Sequence, residues 1–95
     1  MGERILTLHP AGKQGVNIDR SKYDLVRQAI LASLAQRGEI PFGELPAVVE
    51  ASLASPFDGS IAWYTVSVKL DLEARGLIER VPGRSPQVVR LVQAP

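Results

Sequence analysis

The period of the chain changes at Gly76. Before it, apolar residues recur every three or four positions, first over Tyr23, Val26, Ile30 and Leu34 and again over Leu45, Val48, Val49 and Leu53, the spacing that turns one face of a helix toward a core. After it, Leu77 to Val81 and Val88 to Val92 are rich in Val, Ile and Leu and flank Pro82-Gly83-Arg84-Ser85-Pro86-Gln87, a turn-forming stretch suited to a hairpin. With 95 residues there is room for a single core and for no second independent fold. The fold class that follows is α+β, mainly α, with three helices ahead of a C-terminal hairpin.

The ends of these elements carry their own signals. Asp19 or Ser21 caps a first helix that runs to Arg37 and is stopped by Gly38. Glu39 to Phe42 is a short extended link. The second helix spans Glu44 to about Ala54, with Pro46 in its first turn, where no amide donor is needed. Ser55-Pro56-Phe57-Asp58-Gly59 breaks the chain, and Asp58 or Ser60 caps a third helix that reaches Arg75. Ahead of all this, Arg4 to Leu8 reads as a short strand or an arm, followed by the Gly- and Pro-containing loop from His9 to Gly15. Residues 1–18 are thus an N-terminal arm and 19–95 the domain proper.

Helix, short strand, helix, helix, hairpin is the plan of a winged helix-turn-helix domain, in which the hairpin is the wing and the third helix enters a DNA groove. The segment Leu72-Glu73-Ala74-Arg75-Gly76-Leu77-Ile78-Glu79-Arg80 resembles the junction of recognition helix and wing in many bacterial winged-helix regulators. Leu72 would anchor the helix, Gly76 permit a left-handed exit, and Leu77 with Ile78 begin the first wing strand. The whole chain also resembles an uncharacterised bacterial family of small winged-helix-like proteins. That likeness is carried by His9-Pro10-Ala11-Gly12-Lys13-Gln14-Gly15-Val16-Asn17-Ile18 and Trp63-Tyr64-Thr65-Val66-Ser67-Val68-Lys69-Leu70-Asp71-Leu72. It implies a fold and no activity.

The third helix is unusual in its pattern. At about 100° per residue its apolar positions fall on two opposite stripes, Ile61, Tyr64, Val68 and Leu72 on one and Trp63, Val66, Leu70 and Ala74 on the other. A helix apolar on two sides is packed on two sides. The first stripe faces the first two helices. The second is covered either by the arm, with Ile5, Leu6 and Leu8, or by another subunit. Between the stripes runs a narrow polar strip, with Thr65, Lys69 and Glu73 on one side and Ser67 and Asp71 on the other.

Two functions follow from this pattern. In the first, the chain is a winged-helix DNA-binding protein, a transcriptional regulator acting as a homodimer on double-stranded DNA. Thr65, Lys69, Arg75 and the wing-tip Arg84 then contact DNA, joined by Lys13, Arg20 and Lys22 around the start of the first helix. In the second, it is a winged-helix-shaped dimerisation or protein-interaction module without DNA. Its interface is then Trp63, Val66 and Leu70, with Ile5 and Leu6 of the arm. Architecture favours the first and charge the second. Eleven Lys and Arg against ten Asp and Glu leave a net charge of +1, too little to hold a polyanion by field alone. Hairpin arginines also serve solubility and edge protection, and charged residues surround any ordinary helix start.

Other chemistry is excluded by residue type. With no cysteine and one histidine the chain has no thiolate chemistry, disulfide or His/Cys metal site, and no cofactor is expected. Gly12-Lys13-Gln14-Gly15 is not a phosphate loop, because Thr7 and Gln14 stand where that motif needs glycine and a hydroxyl residue. His9 has no nucleophile and orienting group to join it, so no enzyme is expected. No run approaches the roughly 18 apolar residues of a membrane helix, and Leu6 occupies the place where a myristoylation signal after Gly2 needs Ser or Thr. A cytoplasmic location is the expectation.

Overall fold

The computed structural model describes residues 3–53 and 56–92. The protein is α+β, with three α-helices and two small antiparallel sheets among the described residues. Helix α1, Arg20–Arg37, is entered through Asp19, whose side chain accepts the Ser21 N–H at 2.8 Å, and is left through Gly38 at φ 86°. Helix α2, Leu45–Ser52, follows a single 3-10 turn over Phe42–Glu44 and carries Pro46 in its first turn. It stops at Ser52 because Leu53 is extended, and the expected end near Ala54 lies outside the described residues. Helix α3, Ile61–Ala74, is capped by Ser60, which accepts the Trp63 N–H at 3.1 Å, and the turn beyond it is closed through Gly76 at φ 77°.

Five short strands complete the described residues. Strands β1, Arg4–Leu6, and β2, Asn17–Asp19, form a two-stranded hairpin in which Ile5 faces Ile18. Strands β3, Glu39–Pro41, β4, Ile78–Arg80, and β5, Val88–Leu91, form the second sheet in the order β3-β5-β4, so the last strand lies at the centre. The core gathers between this sheet and the helices, around Val26, Ile30 and Leu34 of α1, Leu45 and Val49 of α2, Val68 and Leu72 of α3, and Ile40, Ile78 and Val89. Alternation along the strands puts Ile40 and Ile78 inward while Glu39, Glu79 and Arg90 line the outer face.

The arm differs from a free extension. Ile18 is buried in the main core, and Ile5 and Val16 pack against it. The loop between β1 and β2 is drawn tight by two bonds, Thr7 N–H to the Val16 carbonyl and Val16 N–H to the Thr7 hydroxyl, each 2.9 Å. A Cβ on Gly15 would lie 1.7 Å from the Thr7 carbonyl oxygen, so only glycine allows this approach. His9 belongs to the same turn, its Nδ1 accepting the Ala11 N–H at 3.1 Å. The glycines of this loop therefore serve backbone geometry. Strand β2 was not expected from the sequence, where residues 16–18 read as the approach to α1.

Candidate functional site: the outer face of the third helix

Helix α3 packs its Val68 and Leu72 side into the core, as the first apolar stripe requires, with Ile61 and Tyr64 partly buried beside them. Its polar strip does not face solvent. Thr65 and Asp71 are fully buried, Lys69 is 2% exposed, and the Glu73 side chain is 10% exposed. Every ionisable residue between Ile61 and Ala74 is thereby turned inward.

Among the described residues each charged inward group has an ion-pair or hydrogen-bond partner, Glu73 through its two cations, while the Thr65 hydroxyl has none. The Lys69 ammonium pairs with Glu73 one turn along the helix, donates to the Gln87 side-chain oxygen beyond the β4–β5 turn, and lies 4.7 Å from the centre of the Phe42 ring. Arg80 closes on Glu73 from β4 at 3.4 Å. Burial pushes the Lys69 ammonium below its usual pKa, and the bond to Glu73 acts in the opposite sense. Asp71 is the second hub. One carboxyl oxygen accepts the Leu8 N–H of the arm at 2.8 Å; the other accepts the Tyr23 hydroxyl of α1 and the Arg75 Nε at 2.8 Å. Burial, and then the bond to Asp71, raise the Tyr23 phenol to about 12.

Thr65 and Lys69, both expected at DNA, have their side chains buried. Glu73, Gln87 and the Phe42 ring together satisfy a lysine that the pattern alone would put in water. Arg75 does project, yet its guanidinium is bound to Asp71. Arg84, at the turn between β4 and β5, pairs with Glu39 at 3.2 Å, and Arg90 pairs with Glu79 at 2.7 Å. Arg20 meets Glu3 and Asp24, and Lys22 meets Asp58 at 3.7 Å beside the rings of Phe57 and Tyr64. Of the six cations expected at DNA, Lys13 alone has no ion-pair partner among the described residues. The six do not form one strip: they divide among the arm loop, the start of α1, the end of α3 and the β4–β5 turn.

What α3 does show to solvent is apolar. Its exposed residues are Ala62, Trp63 and Val66, with Trp63 46% and Val66 38% exposed. The arm covers only the C-terminal half of the second stripe. Leu70 and Ser67 form one wall of a small hollow of about 70 Å³ whose other wall is Leu8 and Val16. A wider hollow of about 390 Å³ continues past Ala74 between Leu6, Leu8 and Lys13. Of the expected interface residues, Trp63, Val66 and Leu6 are thus exposed, Leu70 is half-buried beneath the arm, and Ile5 packs inward. Sequence reasoning missed Asp71 as the residue that joins the arm, through the Leu8 N–H, to α1, through Tyr23. No local pattern joins residues 48 positions apart.

Among the described residues no helix is long and apolar enough to cross a membrane, and no cluster of His, Cys, Asp and Glu could hold a metal ion. Comparison with curated proteins finds no match, and neither does comparison with solved structures. A family model does match, over residues 4–89, so that the arm, all three helices and most of the sheet lie inside it. With that span the chain belongs to a family of unknown function, DUF6958.

Proposed function

We propose that this protein is a winged-helix-shaped interaction module that docks another protein surface through the outer face of α3. The observation that carries the reading is the inversion of that helix. Its lysine, aspartate and glutamate are held inside while alanine, tryptophan and valine face water. Isolated exposed apolar residues are ordinary, but a run of them on the one uncharged face of a helix marks a surface meant to be covered. The winged-helix reading is supported by the order of elements, by the strand order β3-β5-β4 and by the β4–β5 hairpin that stands as a wing. In that arrangement α3 occupies the place of a recognition helix.

The same geometry weighs against base reading. Major-groove recognition uses Arg, Lys, Asn, Gln, Ser or Thr presented by the first turns of the helix, and here those turns present Ala62, Trp63 and Val66. The wing arginines are neutralised by Glu39 and Glu79. A cytoplasmic setting remains part of this reading.

The test has two arms. Duplex DNA of mixed sequence, titrated at low salt, should show no binding at micromolar protein; submicromolar binding that weakens steeply with salt would overturn the reading. Trp63→Lys should lower the midpoint of thermal unfolding only slightly in dilute solution, since nearly half of Trp63 is exposed and its ring contact within the chain is edge-on to the partly buried Tyr64. A large loss of stability would show that Trp63 belongs to the core and not to a docking face.

A further inference from the structure

We infer that the occupant of this face is a second copy of the chain, bound about a two-fold axis with the two α3 helices antiparallel and Trp63 of each inserted in the hollow beside Leu8 and Leu70 of the other. The inference rests on the interaction reading above and names its partner.

The geometry begins with spacing. Trp63 and Leu70 are seven residues apart, which puts them on the same side of α3 about 10 Å along its axis. A two-fold axis through the midpoint, at Val66 and Ser67, therefore sets Trp63 of one copy opposite Leu70 of the other, and the reverse contact forms at once. A projecting indole and a receiving hollow are both present. Trp63 stands nearly half exposed at one end of the face, and at the other the arm and α3 leave the apolar recess lined by Leu6, Leu8, Leu70 and Ala74. The hollow at Leu70 holds only about 70 Å³, but it adjoins across Leu8 the wider one of about 390 Å³ between Leu6, Leu8 and Ala74, which is large enough to take an indole ring. Ser67 at the axis is small and Val66 beside it is short, so the two helix backbones can approach there.

Charge points to the same partner. A surface that meets its own copy must not bring like charges together, and the ionisable residues of α3 are all turned away from this face. The same neutrality leaves little with which to discriminate an unrelated protein, because specificity between different partners draws on complementary charge and hydrogen bonding. Lys13 is the one charged residue lining the wider hollow, and its ammonium can lie on the incoming indole.

Area sets the strength. From their fractional exposures, Leu6, Leu8, Trp63 and Val66 offer on the order of 350 Å² of apolar side chain per copy. With the rim included, the pair buries on the order of 1,000 Å², the lower end for a specific complex, so the dimer is a reversible one in the micromolar range.

The experiment is sedimentation of the intact chain over a wide concentration series, for the wild type, Trp63→Lys, Leu8→Asp, and an equimolar mixture of the two variants. The wild type should pass from monomer to dimer with rising concentration while Trp63 emission shifts to the blue. Each variant alone should weaken dimerisation by at least about thirty-fold, as expected for losing a central tryptophan contact. The mixture should dimerise again: the intact Trp63 of one variant meets the intact hollow of the other, and at the second contact lysine faces aspartate. A wild type that stays monomeric at the highest attainable concentration would overturn the second copy as occupant. The interaction reading would survive that result if Trp63→Lys lost only slight stability and the wild-type indole stayed open to quencher. A dimer that persists in Trp63→Lys, or a mixture that stays monomeric, would overturn this register.

Discussion

Asp71 holds three parts of the chain together, and replacing it should show how much of the fold depends on one buried side chain. In Asp71→Ala the Tyr23 hydroxyl is left in the core without an acceptor, which costs roughly 1–3 kcal/mol. The Leu8 N–H and the Arg75 guanidinium lose partners too, but Leu8 is 44% exposed and the Arg75 side chain 37%, so water replaces much of what they lose. Those two together add about 1 kcal/mol. The total is about 2–4 kcal/mol, and for a domain of this size the unfolding midpoint should fall by on the order of 10–20 °C. Tyr23→Phe should cost about 1–2 kcal/mol by itself, because Asp71 keeps two of its donors. The double variant removes both ends of the buried bond, so it should be less damaged than the sum of the singles by about 1–2 kcal/mol. Urea unfolding followed by helical circular dichroism measures all four proteins, and amide exchange at Leu8 reports release of the arm. Additive losses, or an Asp71→Ala variant within 1 kcal/mol of wild type, would refute the reasoning.

Four further expectations concern other parts of the molecule. Because the Tyr23 phenol is raised from 10.0 to about 12, the folded state keeps a proton that the unfolded chain releases, and stability is lost as pH rises from about 10 through 12. The loss approaches 2–3 kcal/mol, and Tyr23→Phe should remove it; a variant with the same alkaline profile as wild type would contradict the assignment. Gly15→Ala forces the Thr7 carbonyl aside, and exchange of the Thr7 and Val16 amides should accelerate by at least ten-fold relative to those of α1, whereas unchanged exchange would refute the close approach. Lys69→Met leaves Glu73 with Arg80 as its remaining cation and should destabilise by roughly 1–3 kcal/mol, with Lys69→Met/Glu73→Leu recovering at least half; denaturant midpoints decide, and a fully stable single variant would count against the buried pair. Ser60→Ala removes the acceptor for the Trp63 N–H and should cost about 1 kcal/mol by thermal unfolding, with no change expected only if the cap is not formed.

Much of the frame could be read from local sequence. Asp19 and Gly38 bracket α1, Pro46 sits in the first turn of α2, Ser60 caps α3, and the change of period at Gly76 separates helix from hairpin, each through chemistry confined to a few neighbouring residues. Strand β2 escaped notice because three residues next to a helix cap carry no alternation of their own. The site was legible only in its apolar half. The two-stripe pattern of α3 was visible, and Trp63 with Val66 is where an uncovered stripe should be. The polar strip was misplaced, since patterning puts charge in solvent unless a partner is known, and Lys69, Asp71 and Glu73 draw partners from β4, the β4–β5 turn, α1 and the arm. One signal was available. Lys69 and Glu73 stand four apart on a helix apolar on both sides, where an inward ion pair is the natural use of such spacing.

The strand order has a consequence for how the chain comes to be folded. Strand β5 joins β3 to β4, yet it is the last of the three to be synthesised. Until residues 88–91 have left the ribosome, Ile40 and Ile78 have no Val89 between them, and the facing edges of two strands stay open. Docking of that one segment closes the sheet, covers the helices and joins residues some fifty positions apart, a late and non-local step of the kind that slows folding. A nascent chain paused just short of β5 would be the form of this protein most exposed to misassembly.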